Sequence, residues 1–168
     1  MTEITLDKTD RKILAILQAD GRLSNQDVAE RVSLSPSPCL RRIKRLEEAG
    51  VIRQYVALLD PGKIGLGLLA YVNVRLEKHS EVSSKAGARS GAASPRADFS
   101  ASVGNWPEVV GCYAMTGEMD FLLRVHVVDM AHFSRFMMDS LLKHPAVQDV
   151  KSSFSLQCIK DTTALPLL

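Results

Sequence analysis

The stretch SPSPCLRRIKRLEEAG, residues 35–50, decides how the first third of the chain folds. Two prolines stand near its front, and four cations (Arg41, Arg42, Lys44 and Arg45) fall within five positions. With Ser35 as N-cap, Pro36 takes the first helical position and Pro38 the third. Backbone N–H groups there have no partner inside a helix, so proline loses nothing and its fixed φ suits the start. The prolines therefore begin a helix rather than break one. Cys39, Leu40, Ile43 and Leu46 recur at spacings of three and four and form its apolar side. Gly50 is placed to stop it, with Val51 and Ile52 falling back onto the core in a Schellman turn. At about 100° per residue, Arg41 and Arg45 project away from that stripe. Ser37 and Pro38 lie on their side, and Arg42 and Lys44 flank them.

Two more helices precede this one. In LDKTDRKILAILQADG (residues 6–21), Leu6, Ile13, Leu14 and Leu17 share one face. Asp7 is a good N-cap with Asp10 three residues on, a weak capping box, and Gly21 marks the stop. A short helix then starts at Ser24, with Asp27 in the same relation, and buries Val28, Ala29 and Val32. The tripeptide Ser33–Ser35 turns tightly into the third helix. Three helices with cations on the last predict a helix-turn-helix whose third element enters a DNA major groove. A cation run is often only a solvated helix face. Here the short second helix, the tight turn, the proline start and the local charge agree on DNA. Arg41 and Arg45 are assigned to base edges, with Ser37 nearby, and Arg42 and Lys44 to phosphates. The hydroxyls of Ser35 and Ser37 are placed for phosphate at the helix N-terminus.

Bulk properties neither demand nor forbid this. The chain has 168 residues, 46% hydrophobic and 24% charged, an ordinary globular composition. Net charge is only +2, and residues 1–60 hold 10 Lys/Arg against 9 Asp/Glu, so any basic surface is local. No apolar run approaches the roughly 18 residues of a membrane helix. The opening MTEITLDKTDRK lacks a secretion signal's apolar core. Cys39, Cys112 and Cys158 are far apart and form no CxxC pair, so neither disulfides nor zinc is expected, and a reducing cytoplasm is the simplest location. His126 and His132 lack ligand spacing, and no catalytic or nucleotide-binding fingerprint appears. No metal, no cofactor, no membrane and no enzymatic activity are expected.

Beyond residue 52 the pattern changes. Arg53–Leu59 reads as a strand and DPGK (residues 60–63) as a turn, together a linker over 53–66. GLLAYVNVRLE (67–77) is a long strand. Residues 79–97 are Ser/Ala/Gly-rich and read as a loop. DFSASVGNW (98–106) suits a short helix showing Phe99, Val103 and Trp106. Strands follow at 109–115 and 121–128, joined by the turn TGEMD. An amphipathic helix capped by Asp129 presents Met130, Phe133, Phe136, Met137 and Leu141. The closing strand runs over 146–159. The order βαββαβ predicts an α+β chain: a helix-turn-helix domain over 1–52 and a ferredoxin-like sheet domain over 67–168 with two helices on one face.

A winged or three-helix DNA reader, a linker strand and a βαββαβ domain together resemble the Lrp/AsnC family, the feast/famine regulators. The N-terminal domain is similar nearly throughout, including LSPSPCLRRIKRLE. WPEVVGCYAMTGEMDFLLRV carries the family's T-G-x-x-D turn, and LLKHPAVQDVKSSFSL its last helix and strand. The loop after His79 is roughly a dozen residues longer than the pattern. The resemblance implies a bacterial transcriptional regulator that pairs through its sheets as a homo-oligomer, a dimer going on to a tetramer or octamer. It also implies a small effector, usually an amino acid, held near that turn. Gly117 allows a positive φ and open N–H groups for a carboxylate, and Asp120 suits an ammonium. By residues alone TGEMD also reads as a plain hairpin turn. The resemblance favours an effector site of Met115, Thr116, Gly117, Asp120, Ser152 and Ser153. Two rivals stand beside this reading: an architectural DNA-binding protein without effector, and an enzyme like the siroheme decarboxylases, which would not need a basic reading helix.

Overall fold

Side-chain caps start the first helices. In the computed structural model, which describes residues 4–77 and 94–167, α1 spans Lys8–Ala19. Asp7 accepts from the backbone N–H of Thr9 and Asp10, and Asp10 accepts from the N–H of Asp7, completing the capping box. Ser24 and Asp27 repeat the device at α2, Asn25–Arg31. The turn into α3, Pro36–Glu48, passes through Ser33 at φ 57°, and Ser35 is the N-cap ahead of the prolines. Gly50 closes α3 at φ 72°. The Gly50 N–H donates to Glu47 and the Val51 N–H to Leu46, which is the Schellman pattern the sequence predicts. Ile13, Leu14, Val28, Ala29, Val32, Cys39, Ile43 and Leu46 form the core of this unit, with Val51 and Ile52 packed against it. Leu40, expected with them, is 42% exposed on the other side of α3.

No strand forms over 53–59. A strand needs a ladder partner, and the described residues of this chain offer none there. The segment instead leaves α3 with Tyr55 donating its hydroxyl to Glu47 at 2.9 Å. It leaves Val56, Leu58 and Leu59 exposed.

Strands β1 (Leu68–Leu76), β2 (Val109–Ala114), β3 (Phe121–Val127) and β4 (Val147–Phe154) form one antiparallel sheet in the order β2-β3-β1-β4. Helices α4 (Pro95–Val103) and α5 (Met130–Phe136) lie between them in sequence, giving the expected βαββαβ order. Alternation sorts the faces. Ala70, Val72, Val74, Leu76, Phe121, Leu123, Val125 and Val127 are buried with Phe99, Val103, Phe133, Phe136, Met137 and Leu141 from the helical layer. Burying each of the larger of these side chains contributes about 1.5–3 kcal/mol relative to exposure.

Three expectations differ from the structure. α4 begins at Pro95, not Asp98, because Ser94 caps it by accepting from the Ala97 N–H; the rest of the expected loop, 79–93, lies outside the described residues. α5 passes into a π-helical turn, Met137–Leu141, with the Leu142 N–H donating to Met137, and Met130 is half exposed rather than buried. β4 ends at Phe154, not residue 159, and Leu156 and Ile159 stand exposed beyond it. The chain divides into two compact units, Met1–Leu58 with Ile159–Leu168, and Leu59–Cys158. By contact, the described residues 159–167 group with the helices, whereas the sequence reading carries the second domain through to the end of the chain.

Candidate nucleic-acid interface and effector turn

The outward side of α3 is a shallow groove lined by Ser37, Leu40, Arg41, Lys44, Arg45 and Glu48. Helical geometry produces this row, since residues three and four apart share a face. Asn25 braces the first turn by donating from Nδ2 to the Pro36 carbonyl at 2.9 Å. Ser35 makes no side-chain cap hydrogen bond. Arg41 and Lys44 are exposed.

The other two cations are engaged. Arg42 Nη1 donates to Asp7 Oδ2 at 2.6 Å and to Asp10 Oδ1 at 2.9 Å. Arg45 Nη2 donates to Asp10 Oδ2 at 2.5 Å. The Asp10 side chain has no exposed surface, whereas Arg42 keeps 31% and Arg45 48% of theirs. The Asp10 backbone N–H and then the Arg42 guanidinium hold the Asp7 carboxyl down at about 2. The same two carboxylates raise the pKa of Arg42 further. So α3 does not present four free cations. Arg42, assigned to phosphate from the sequence, is turned toward α1, and Arg45 has one edge tied and one edge open. Buried Cys39 belongs to packing, and its burial pushes the thiol pKa up.

Two residues of this face escape the sequence. Asp10 is visible there only as a helix cap, because its partners lie 32 and 35 residues away. Leu40 falls on the border of the apolar stripe, where periodicity does not decide. On the outside it offers an apolar contact of the kind that meets a thymine methyl.

The TGEMD turn joins β2 to β3 at one end of the sheet. The Met115 N–H donates to the Asp120 carbonyl at 2.9 Å, and Gly117 sits at φ 111° with open space where a Cβ would go. Met115, Thr116, Gly117 and Glu118 are exposed. Asp120 is anchored: its N–H donates to the Val74 carbonyl, and its Oδ2 accepts the Leu76 N–H at 2.9 Å. Its Oδ1 faces Arg96 at 3.8 Å. Glu118 reaches Arg75 on β1 at 3.6 Å and Lys151 on β4 at 3.4 Å.

One chain does not gather all six candidate effector residues. Ser153 pairs with Tyr71 and Ser152 with Val72. Val72 faces the helices and Tyr71 the open side, so the two hydroxyls stand on opposite faces. Along β1, Tyr71 lies four residues from Arg75, roughly 14 Å at strand rise. Arg75, Arg96 and Glu118 adjoin the turn and carry no sequence motif of their own.

Residues 6–53 match the family model for winged helix-turn-helix DNA-binding domains, and residues 69–165 that for the Lrp/AsnC ligand binding domain. The chain is 45% identical over 162 residues to the DNA-binding transcriptional activator DecR of Escherichia coli K12, covering 96% of this chain and 99% of that one. It is 38% identical over 161 residues to the leucine-responsive regulatory protein of Rhizobium meliloti, covering 96% of each. A transcriptional regulator of Neisseria meningitidis, solved in complex with L-Met, superposes with a TM-score of 0.86 at 52% identity, over 96% of this chain and 97% of that one. With its helical unit matched as a DNA reader and its sheet unit as a ligand domain, the chain belongs to the Lrp/AsnC family of DNA-binding transcriptional regulators.

Proposed function

We propose that this regulator senses a free amino acid at the Met115–Asp120 turn and adjusts its assembly and DNA affinity in response, with no catalytic step. The observation that carries this is the turn itself: an exposed backbone bend at Gly117 beside a carboxylate held in place by the Leu76 N–H. Open N–H groups suit a carboxylate, and Asp120 Oδ1 suits an ammonium. The L-Met complex of the Neisseria relative supports an unbranched amino acid of that size. Because Ser152 and Ser153 lie apart from the turn within one chain, a second copy supplies the missing wall of the site. Exposed Val56, Leu58 and Leu59 and the open-face Tyr71 are apolar surface that pairing would cover, in a dimer and then a tetramer or octamer. The cytoplasm is the compartment where free amino acids and chromosomal DNA are both met. Among the described residues no helix is long and apolar enough to cross a membrane.

Calorimetry with each of the twenty amino acids tests this reading. Binding of L-Met or a near relative is expected for the wild type, weakened about tenfold or more in Asp120→Asn, which keeps the turn's shape but removes the charge that pairs with the ammonium. No heat from any amino acid, or equal affinity for both proteins, would remove the turn from the site.

A further inference from the structure

A carboxylate with no exposed surface holds two arginines of the reading helix, and this couples charge on α1 to the DNA face of α3. Asp10 Oδ1 takes Arg42, and its Oδ2 takes Arg45 together with the Asp7 N–H at 3.1 Å. Asp7 adds a second carboxylate to Arg42. Two negative and two positive side chains therefore meet between the helices and neutralise one another locally. Arg45 nevertheless keeps nearly half of its side-chain surface, and that surface lines the groove with Ser37, Leu40, Arg41 and Lys44.

A guanidinium is a planar fork with donors on more than one edge. Bonding one nitrogen to a buried oxygen leaves the remaining donors outward in a set plane. A free arginine must give up rotamer freedom to adopt such a plane; here much of it is already given up. Bidentate contact with a guanine edge requires that orientation, whereas contact with a phosphate tolerates many. Arg42 is the contrasting case. Its Nη1 is shared between two carboxylates and only a third of the side chain is exposed.

From this we infer that Asp10 is a positioning residue of the DNA reader. It aims Arg45 at base edges and withdraws Arg42 from the phosphate-contacting charges. The inference rests on Arg45 facing DNA, so the two are tested separately. A duplex obtained by repeated selection of bound genomic fragments is compared with a scrambled duplex of the same composition, over a series of salt concentrations.

Asp10→Asn, confirmed as folded by circular dichroism, is expected to lower the ratio of selected to scrambled affinity about fivefold or more. Scrambled-duplex affinity should hold or rise, with a salt slope steeper by about 0.9 for each guanidinium released. A merely structural clamp would instead weaken both duplexes together with an unchanged or shallower slope, and that result overturns the inference. Arg45→Ala should lower the same ratio, and the double variant should lose no more than Arg45→Ala alone. A ratio unmoved by Arg45→Ala sinks both the Arg45 assignment and the positioning role. Should Asp10→Asn fail to fold, Arg42→Gln decides the charge half. Its salt slope is expected to match wild type, while a slope flattened by about 0.9 would return Arg42 to the phosphates and overturn the inference.

Discussion

Arg41 and Lys44 stand three residues apart on one face of α3, yet their chemistry separates them. Neither is tied down as Arg42 and Arg45 are, and both are exposed in the groove. Arginine's fork matches a guanine edge, whereas lysine is a strongly hydrated point charge suited to phosphate. Arg41→Ala is therefore expected to cost about 1–3 kcal/mol on a selected site and to relax preference at one base pair. Lys44→Ala should weaken all duplexes alike and reduce the salt slope by about 1. Gel shifts on selected and scrambled duplexes at several salt concentrations distinguish them. If the two variants behave alike, the division of labour on this helix is mistaken.

At the scale of elements, the helices are held by caps whose charge can be titrated. Asp7 caps α1 and also pairs with Arg42, and its folded pKa falls from the usual 3.8 to about 2. A depressed carboxyl pKa contributes stability that is fully present above the unfolded value and is lost as pH falls through the folded one. The window is thus about pH 4 down to about pH 2. Asp7→Asn keeps a capping oxygen but cannot titrate, so its melting temperature should lie below wild type at pH 7, and the gap should close as pH falls from about 4 through about 2. Parallel acid limbs for the two proteins would show that this pair does not stabilise the fold.

Legibility from sequence follows the same scale. The starts and stops of α1, α2 and α3 depend on residues within a few positions, and Asp7, Ser24, Ser35 and Gly50 mark them openly. Ser94–Pro95 carries the same signature as Ser35–Pro36, so the true start of α4 was available in the chain. The opposite faces of Ser152 and Ser153 follow from strand period alone. What stays hidden is what depends on partners distant in sequence. Arg42 and Arg45 read as outward cations because nothing near them in the chain announces Asp10. Arg53–Leu59 has a strand's composition, but composition does not supply a neighbouring ladder.

At the scale of the whole molecule, the DNA-reading unit is built from both ends of the chain, and the sheet unit is inserted between them. Beyond β4 the chain returns to α1. There Gln18 donates from Nε2 to the Leu165 carbonyl at 3.1 Å and accepts the Leu165 N–H at 2.6 Å. Leu167 packs against the helical core. Removing residues 165–168 deletes both hydrogen bonds and that apolar contact. The bonds are exposed, so the combined loss is expected to be about 1–3 kcal/mol. The probes of the two units separate cleanly. The single tryptophan, Trp106, lies in the sheet unit, edge-on to Phe99 and Phe136 with ring centroids 5.8 Å apart in each pair, so its fluorescence reports that unit alone. Amide exchange of α1 reports the other. Truncation should speed exchange at Ile13 and Leu14 while the Trp106 unfolding transition keeps its midpoint. A shift of the Trp106 transition with unchanged α1 exchange would mean that the tail stabilises the sheet, and that its contacts with Gln18 contribute nothing to the DNA reader.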